Sequence, residues 1–415
     1  MNTPPRASGF APFRQRSFRF QWPADLATSW GFEMENIILG WYVLTETGSV
    51  VWLTGFAALQ FIGTLVAPLF GVASDRLGHR GVLCAMRGSY ALLAGLLALL
   101  ALTGALTPWL VLVVALLSSI GRSSDIGVRN ALIAATMPPG LLMGAIGLGR
   151  IGTDGARVAG ALSGAGLVAL LGMGHAYLVV TGLYLMSLAL LFKVVVPPHA
   201  EVAAPGSPWR DLGDGFTHVW TRPVLLAAIG LAFLVNLLAY PLSGGLLPYV
   251  AREVYGLERT GLGLLVASFA AGGLLGSVVL SARGGAMPPG RTMLVASLCW
   301  FGLLLLFARL EDGWAGMAVL TAAGFAQSFC VVPMAVMLLR IAQEAFRGRI
   351  MGVRMLAIYG LPLGLLAAGP VIETLGFAAG ATLYAGAGLL LALGIALRWR
   401  AHLWPMAAPA NALRG

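Results

Sequence analysis

Charge is what this sequence has least of. Asp, Glu, Lys and Arg together make up 10% of its 415 residues, where a soluble globular chain carries roughly 25%. Too little charge is present to coat a water-soluble fold of this size, and that class is excluded. Cysteine is equally scarce: Cys84, Cys299 and Cys330 each fall inside an apolar run, which gives neither a disulfide framework nor a metal cluster. The five histidines (His79, His175, His199, His218 and His402) are dispersed, so no zinc site is expected. No nucleophile-plus-base pairing is visible and no cofactor is called for. An enzyme or a sensor would need such a cluster or an appended soluble domain. The first twenty residues hold Arg6, Arg14, Arg16 and Arg19 but no short apolar core with a cleavage site behind it. That is the pattern of a basic cytoplasmic arm, not of a signal peptide.

What the chain has is apolar length. Hydrophobic residues make up 59% of it, in stretches of roughly 18–25 residues that suit bilayer-spanning helices. The 56 glycines cost helix propensity in water but let helices pack closely in lipid. The spacing predicts an all-α polytopic membrane protein with twelve transmembrane helices, over 21–46, 50–73, 82–103, 108–130, 141–171, 176–196, 224–250, 262–282, 292–310, 315–339, 350–374 and 377–399. The organisation expected is a basic arm (1–20), a six-helix bundle (21–196), a linker (197–222), a second six-helix bundle (223–400) and a tail (401–415). With the N-terminus inside, the outer segments hold only Arg252, Arg259 and Arg309, while the inner segments hold Arg6 to Arg19, Arg76, Arg80, Arg87, Lys193, Arg210, Arg222, Arg283, Arg291, Arg340, Arg347, Arg349, Arg398 and Arg400. The positive-inside rule therefore puts both termini in the cytoplasm. It also accounts for the net charge of +10 without nucleic acid. In the linker, Ser207 and Pro208 form a helix start, and Trp209, Leu212, Phe216 and Val219 recur at helical spacing. This predicts a short amphipathic helix, either on the inner membrane surface or packed on the protein.

The two halves look like a diverged repeat. Gly55 and Gly63 fall opposite Gly263 and Ala271, and Asp75 falls opposite Arg283; parallel repeats of this kind mark one large transporter architecture. Between the second and third spans lies Gly71-Val72-Ala73-Ser74-Asp75-Arg76-Leu77-Gly78-His79-Arg80. Gly71 allows close helix approach and Gly78 a turn of either hand, while Arg76 and Arg80 suit the anionic inner leaflet. This segment resembles the gating signature of the major facilitator superfamily, with His79 in place of one arginine. Stretch 34–41, Thr47-Gly48-Ser49, stretch 157–164, Leu246-Leu247-Pro248 and Gly348-Arg349-Ile350-Met351 resemble its enterobactin-exporter-like branch. The resemblance implies the major facilitator fold in the inner membrane, working as a monomer. It further implies proton-driven efflux of a small organic solute by alternating access, an antiporter. One position departs. Such exporters often carry Gly-Pro in the fifth helix, whereas Gly160 here is followed by Ala161, which keeps an importer or facilitator open.

Charges inside apolar spans are expensive in lipid and mark function. Glu33 and Glu35 lie near the middle of the first span, two residues apart and so on nearly opposite sides of the helix. Either is a candidate proton carrier, since burial moves a carboxyl toward protonation. Glu35 is favoured, with Glu33 bonding Asn36 or packing on a neighbouring helix. Asp25 is assigned to the helix start. Arg122, Asp125 and Arg129 in the fourth span, and Arg150, Asp154 and Arg157 in the fifth, each line one helix face with a carboxylate between two guanidiniums. They form either a cavity wall with surplus positive charge, suited to anions, or a salt-bridge lattice with the Asp75 loop. Asp154 is a third proton-coupling candidate. Asn236, Tyr240, Gln327 and Tyr359 are candidate cavity residues, and Pro241, Gly244, Gly245 and Pro248 bend the seventh span. Gly147-x-Gly149-x-x-Gly152 spells a dinucleotide pattern, but no strand precedes it.

Overall fold

A computed structural model describes residues 11–66, 70, 73–74, 77–196, 220–283, 287–341 and 354–403. Among these every regular element is helical. The long elements are α1 (Arg16–Thr47), α2 (Val50–Leu59), α3 (His79–Leu102), α4 (Pro108–Thr136), α5 (Pro139–Leu191), α6 (Pro223–Leu234), α7 (Arg259–Arg283), α8 (Pro289–Phe307), α9 (Gly313–Ile341), α10 (Gly360–Leu375) and α11 (Phe377–Arg398). Nine of the described helical stretches are long and apolar enough to cross a membrane. The chain is a multi-pass membrane protein. The amphipathic segment 207–219 lies outside the described residues, as do Gly348, Arg349, Ile350 and Met351.

Local chemistry sets several boundaries. α1 ends at Gly48, whose left-handed φ of 61° lets its N–H cap the Leu44 carbonyl. α4 starts on Thr107, whose hydroxyl accepts from Leu110 N, with Pro108 in the first turn, where no N–H is needed. Ahead of α1, the turn Ala11–Arg14 is already folded. Phe18 is buried with Ile133, Met137 and Ala145, and Phe13, Trp22 and Leu141 pack around them. Ser17 donates to the Val195 carbonyl at 2.7 Å.

Four expected spans depart from the simple apolar-run picture. The spans 141–171 and 176–196 are two helices that meet at a kink at Gly172 (φ 78°, ψ 170°) and are labelled together here as α5. A glycine alone adopts that conformation without strain, so no connecting loop is needed. The span 50–73 is α-helical to Leu59, continues as a 3-10 helix over Ile62–Val66, and is α-helical again at Phe70, Ala73 and Ser74. The 3-10 segment is pressed against α4: a Cβ on Gly63 would collide with the Ser119 carbonyl, and Thr64 donates to Ser123. The span 224–250 runs on as π-helical turns over Val235–Ala239, Pro241–Gly245 and Val250–Val254. Pro241 and Pro248 lack N–H groups, and wide turns such as Leu246 N to Pro241 O (3.0 Å) re-pair the backbone around them.

Two compact units result. The first contains Met1–Gly48, Leu59–Ala203 and Leu262–Ala267; the second contains Ser49–Ala58, Ala204–Gly261 and Ser268–Gly415. Each holds very close helix crossings on glycine. In the first, Gly63 lies against Ser119; in the second, Gly272 meets the Thr321 carbonyl and Gly324 the Phe269 carbonyl. Substituting Val for Gly63, Gly272 or Gly324 forces backbone apart and should cost roughly 1–3 kcal/mol or more. Gly182→Ala, where an added methyl meets nothing within 4 Å, should be near neutral. Thermal unfolding of the purified variants in detergent checks both.

Candidate functional site

The charged residues inside the first unit assemble around α1. Glu35 is buried and receives two donors on one oxygen: Arg122 reaches Oε2 at 2.6 Å and the Tyr184 hydroxyl donates to the same atom at 2.5 Å. Arg122 also donates to Asn36 Oδ1 at 3.0 Å and Gln60 Oε1 at 2.9 Å. Its guanidinium lies 4.1 Å from the centre of the Phe32 ring, a cation–π contact. Phe32, Tyr90 and Tyr184 pack against one another with ring centroids 5.1–5.7 Å apart. Glycines make room for this cluster, since a Cβ on Gly31 would meet Tyr184 at 2.7 Å and one on Gly121 would meet the Tyr90 hydroxyl at 2.7 Å. Glu33, two residues away, points elsewhere and pairs with Arg157 of α5 at 3.4 Å. The opposite orientation of the two glutamates is as their spacing required. Asn36 serves Arg122.

A second cluster lies ten residues earlier on α1. Asp125 bridges Arg87 and Arg129, one guanidinium on each oxygen. Asp25 reaches Arg129 at 3.3 Å and Arg87 at 3.5 Å. Arg129 also donates to Ser29 at 3.2 Å, and Gln21 donates to the Arg129 carbonyl at 3.1 Å. All four charged side chains are buried; Arg87 is 0% exposed. Arg87 and Asp25 were assigned, respectively, to an inner segment and to a helix start. Their real place is this cluster, because α1 begins at Arg16 and α3 at His79, which carries both charges well inside their helices. The rule that charges inside apolar spans mark sites would have found both. Tyr184 and Gln60 carried no such mark.

On α5, Asp154 pairs with Arg150 at 3.0 Å, and the Arg150 side chain is 62% exposed. The three charges of α4 thus divide between two clusters, and Arg157 of α5 pairs across to α1. Their shared faces were legible, their partners were not. Of the gating segment, Gly71, Asp75 and Arg76 lie outside the described residues. Gly78, at φ 80°, precedes α3, His79 Nδ1 contacts Ser74 Oγ, and Arg80 holds the end of α5 through the Leu191 and Phe192 carbonyls (3.1 and 2.7 Å). In the second unit Gln327 donates to the Tyr240 hydroxyl at 2.7 Å, and Tyr240 packs edge-on against Trp300. Asn236 donates back to Ala232 O, and Tyr359 closes a 3-10 turn, Ala357–Tyr359.

A helical membrane protein with paired charges inside its helices invites comparison with carriers. The family model for transmembrane secretion effectors matches residues 7–413. The chain belongs to that family. It is therefore a transporter of the major facilitator superfamily. No curated protein sequence matches it. Among solved structures, the nucleoside transporter NupG is 14% identical over 92% of this chain and 99% of that one, with a TM-score of 0.73. A bacterial homolog of the human lysosomal transporter Spinster, in an inward-facing and unoccupied conformation, is 15% identical over 94% and 98%, with a TM-score of 0.72. A D-xylose-proton symporter is 15% identical over 91% and 96%, with a TM-score of 0.66. At these identities the likeness shows the major facilitator fold alone.

Removing one partner of a buried pair leaves an uncompensated charge. Asp125→Asn should therefore destabilise the effector by about 3–5 kcal/mol. Tyr184→Phe, which removes one donor from a buried carboxylate, should cost about 1.5–3 kcal/mol. Arg150→Gln, at an exposed guanidinium, should stay within about 1 kcal/mol. Denaturant unfolding of the three purified variants checks this order.

Proposed function

We propose that this protein is a proton-coupled exporter of a small organic solute, working by alternating access, with Glu35 as the proton-carrying residue. The reading takes the chain as twelve transmembrane helices in two six-helix bundles, a monomer in the inner membrane with both termini in the cytoplasm. The observation that carries it is the Glu35–Arg122–Tyr184 cluster. Both donors occupy Oε2, so the carboxylate keeps a second oxygen, Oε1, for a proton or for a donor group of the solute. Protonation of Glu35 discharges its pair with Arg122, and the two states differ by one unit of charge at one place on α1. That is the element a proton-driven cycle needs: a titrating group whose state changes which helices are held together. Glu33, with its longer bond to a half-exposed Arg157, is the lesser candidate, and Asp154 the third.

The arginines do not argue for an anionic solute. Arg87, Arg122, Arg129, Arg150 and Arg157 are matched one for one by Asp25, Glu33, Glu35, Asp125 and Asp154. The surplus positive charge expected from α4 and α5 alone vanishes once α1 and α3 contribute. The gating segment 71–80 is proposed to latch one state, with Arg80 fastening the end of α5. Asn236, Tyr240, Gln327 and Tyr359 are proposed to offer neutral hydrogen-bonding groups to the solute.

One observation favours an importer or facilitator on the same fold. Ala161 stands where exporters of the resembled branch carry proline, and α5 runs without a non-helical residue until Gly172. Retention of a mixed panel of labelled drugs, siderophores and carboxylates in overproducing cells separates the readings. Lower retention that an uncoupler abolishes supports export; higher retention supports import. Proton–solute coupling of the usual 1–3 kcal/mol, about 5–150-fold, should disappear in Glu35→Gln and persist in Glu33→Gln. Full proton-driven transport in Glu35→Gln would remove Glu35 from the mechanism.

A further inference from the structure

The ten charges paired within the helices of the first unit cancel, but the cations at one end of that unit do not. Residues 11–24 carry Arg14, Arg16 and Arg19, residues 77–84 carry Arg80, and residues 187–196 carry Lys193; none of these stretches contains an Asp or a Glu. Among the described residues no carboxylate lies within ion-pair distance of any of the five.

The fold gathers three of them at one corner. On the first turns of α1, Phe18, Gln21 and Asp25 are buried, while Arg16 and Arg19 are exposed and Phe20 is half-buried. Arg16, Arg19 and Phe20 are three and four residues apart and so share the outward face. Lys193 lies two residues beyond α5, which is long and apolar enough to cross a membrane. Its Nζ is 5.6 Å from the centre of the Phe20 ring. Two hydrogen bonds fix that approach: Ser17 Oγ donates to the Val195 carbonyl at 2.7 Å and accepts from Val195 N at 3.3 Å. The other polar contacts here are with neutral acceptors. Arg19 donates to the Phe13 carbonyl at 2.6 Å, and Arg80 of α3 to the Leu191 and Phe192 carbonyls. Beside the cations, Phe192 and Val195 are 60% and 61% exposed.

Cations without a protein counter-ion thus stand next to exposed apolar side chains, just past the end of a membrane-crossing helix. Water would satisfy the cations and leave Phe192 and Val195 uncovered. Hydrocarbon would do the reverse. A molecule with an anionic head and acyl chains answers both. We infer that the corner formed by Arg16, Arg19 and Lys193 is a binding site for an anionic phospholipid. Its phosphate sits between Arg16 and Lys193 beside Phe20, and its chains cover Phe192 and Val195. The attraction is electrostatic at an exposed surface, so salt screens it. The site is separate from Glu35 and does not depend on the direction or coupling of transport.

The test is native mass spectrometry of the full chain, stripped of lipid in detergent and offered equal amounts of phosphatidylglycerol and phosphatidylcholine. The expected result is one phosphatidylglycerol bound in preference to phosphatidylcholine, less tightly as salt is raised. Each cation at an anionic headgroup is worth about fivefold in affinity, so Arg16→Gln with Lys193→Gln should lose roughly thirtyfold. Both side chains are exposed, and Arg16→Lys with Lys193→Arg, which keeps both charges, should bind as the wild type does. Arg309→Gln, which removes an exposed arginine of the second unit, should leave binding unchanged. Equal retention of the two lipids by the wild type overturns the assignment. So does an equal loss in Arg309→Gln, because attraction to the net charge of +10 gives that result without a site. Displacement of the lipid by millimolar inorganic phosphate also overturns it, since the apolar pair would then contribute nothing.

Discussion

A charge buried in a helix bundle is tolerable only if another charge meets it, and that constraint organises the first unit of this protein. Five guanidiniums and five carboxylates sit within helices and pair one with another. Taking each ion out of water costs several kcal/mol, which attraction to a partner offsets only when geometry is good. The pairs are thus weak sources of stability and strong sources of specificity, because a misplaced helix would strand a charge. α1 is the hub. It supplies Asp25, Glu33 and Glu35, and these reach α3, α4 and α5. Any change in the protonation of α1 is therefore felt on three other helices at once.

Among its described residues the second unit buries no charged side chain. Its polar interior contacts are neutral: Gln327 to Tyr240, Ser328 to the Gly273 carbonyl at 2.7 Å, Tyr384 to the Gly364 carbonyl at 2.8 Å. Backbone fit does what charge does in the first unit. Gly360 lies on the Phe233 carbonyl and Gly364 on the Leu237 carbonyl, where the π-helical turns re-aim the chain. A neutral hydrogen bond has no protonation state to switch near neutral pH, so in the proposed cycle the second unit recognises while the first unit couples.

Much of this was legible from residue types and spacing. Apolar length located the helices, because a bilayer demands about 20 such residues whatever the fold. The stripes Arg122-Asp125-Arg129 and Arg150-Asp154-Arg157 were visible as single faces, because 3.6-residue periodicity is local. What stayed hidden was long-range. No local rule says that Arg122 meets Glu35 of α1 while Asp125, three residues on, meets Arg87 of α3; only the packing decides it. Tyr184 was invisible for a related reason, since a tyrosine in an apolar helix is ordinarily core and becomes a ligand only when a carboxylate arrives opposite. Backbone events were the other loss. Gly172 was one of 56 glycines, and its left-handed φ follows from the turn it must make, not from its neighbours. Asp75 and Arg76, the core of the gating signature, lie outside the described residues and stay as the resemblance gave them.

If Glu35 carries the proton as proposed, its pairing with Arg122 ties the direction of transport to the charge of the solute. Linkage requires that two ligands disfavouring each other at one site exchange, and that two favouring each other travel together. A solute offering a cation or a strong donor takes the ionised form of Glu35 and so excludes the proton; the two are then bound alternately, and a proton entering drives the solute out. A solute offering a carboxylate takes Arg122, which is free to accept it once Glu35 is protonated; proton and solute are then bound together and move the same way. The ten charges paired within the helices balance one another and add no net charge of their own to this choice. On the proposed reading, the sign of transport follows from the charge that the solute presents to one ion pair, and an exporter and an importer could be built on nearly the same helices.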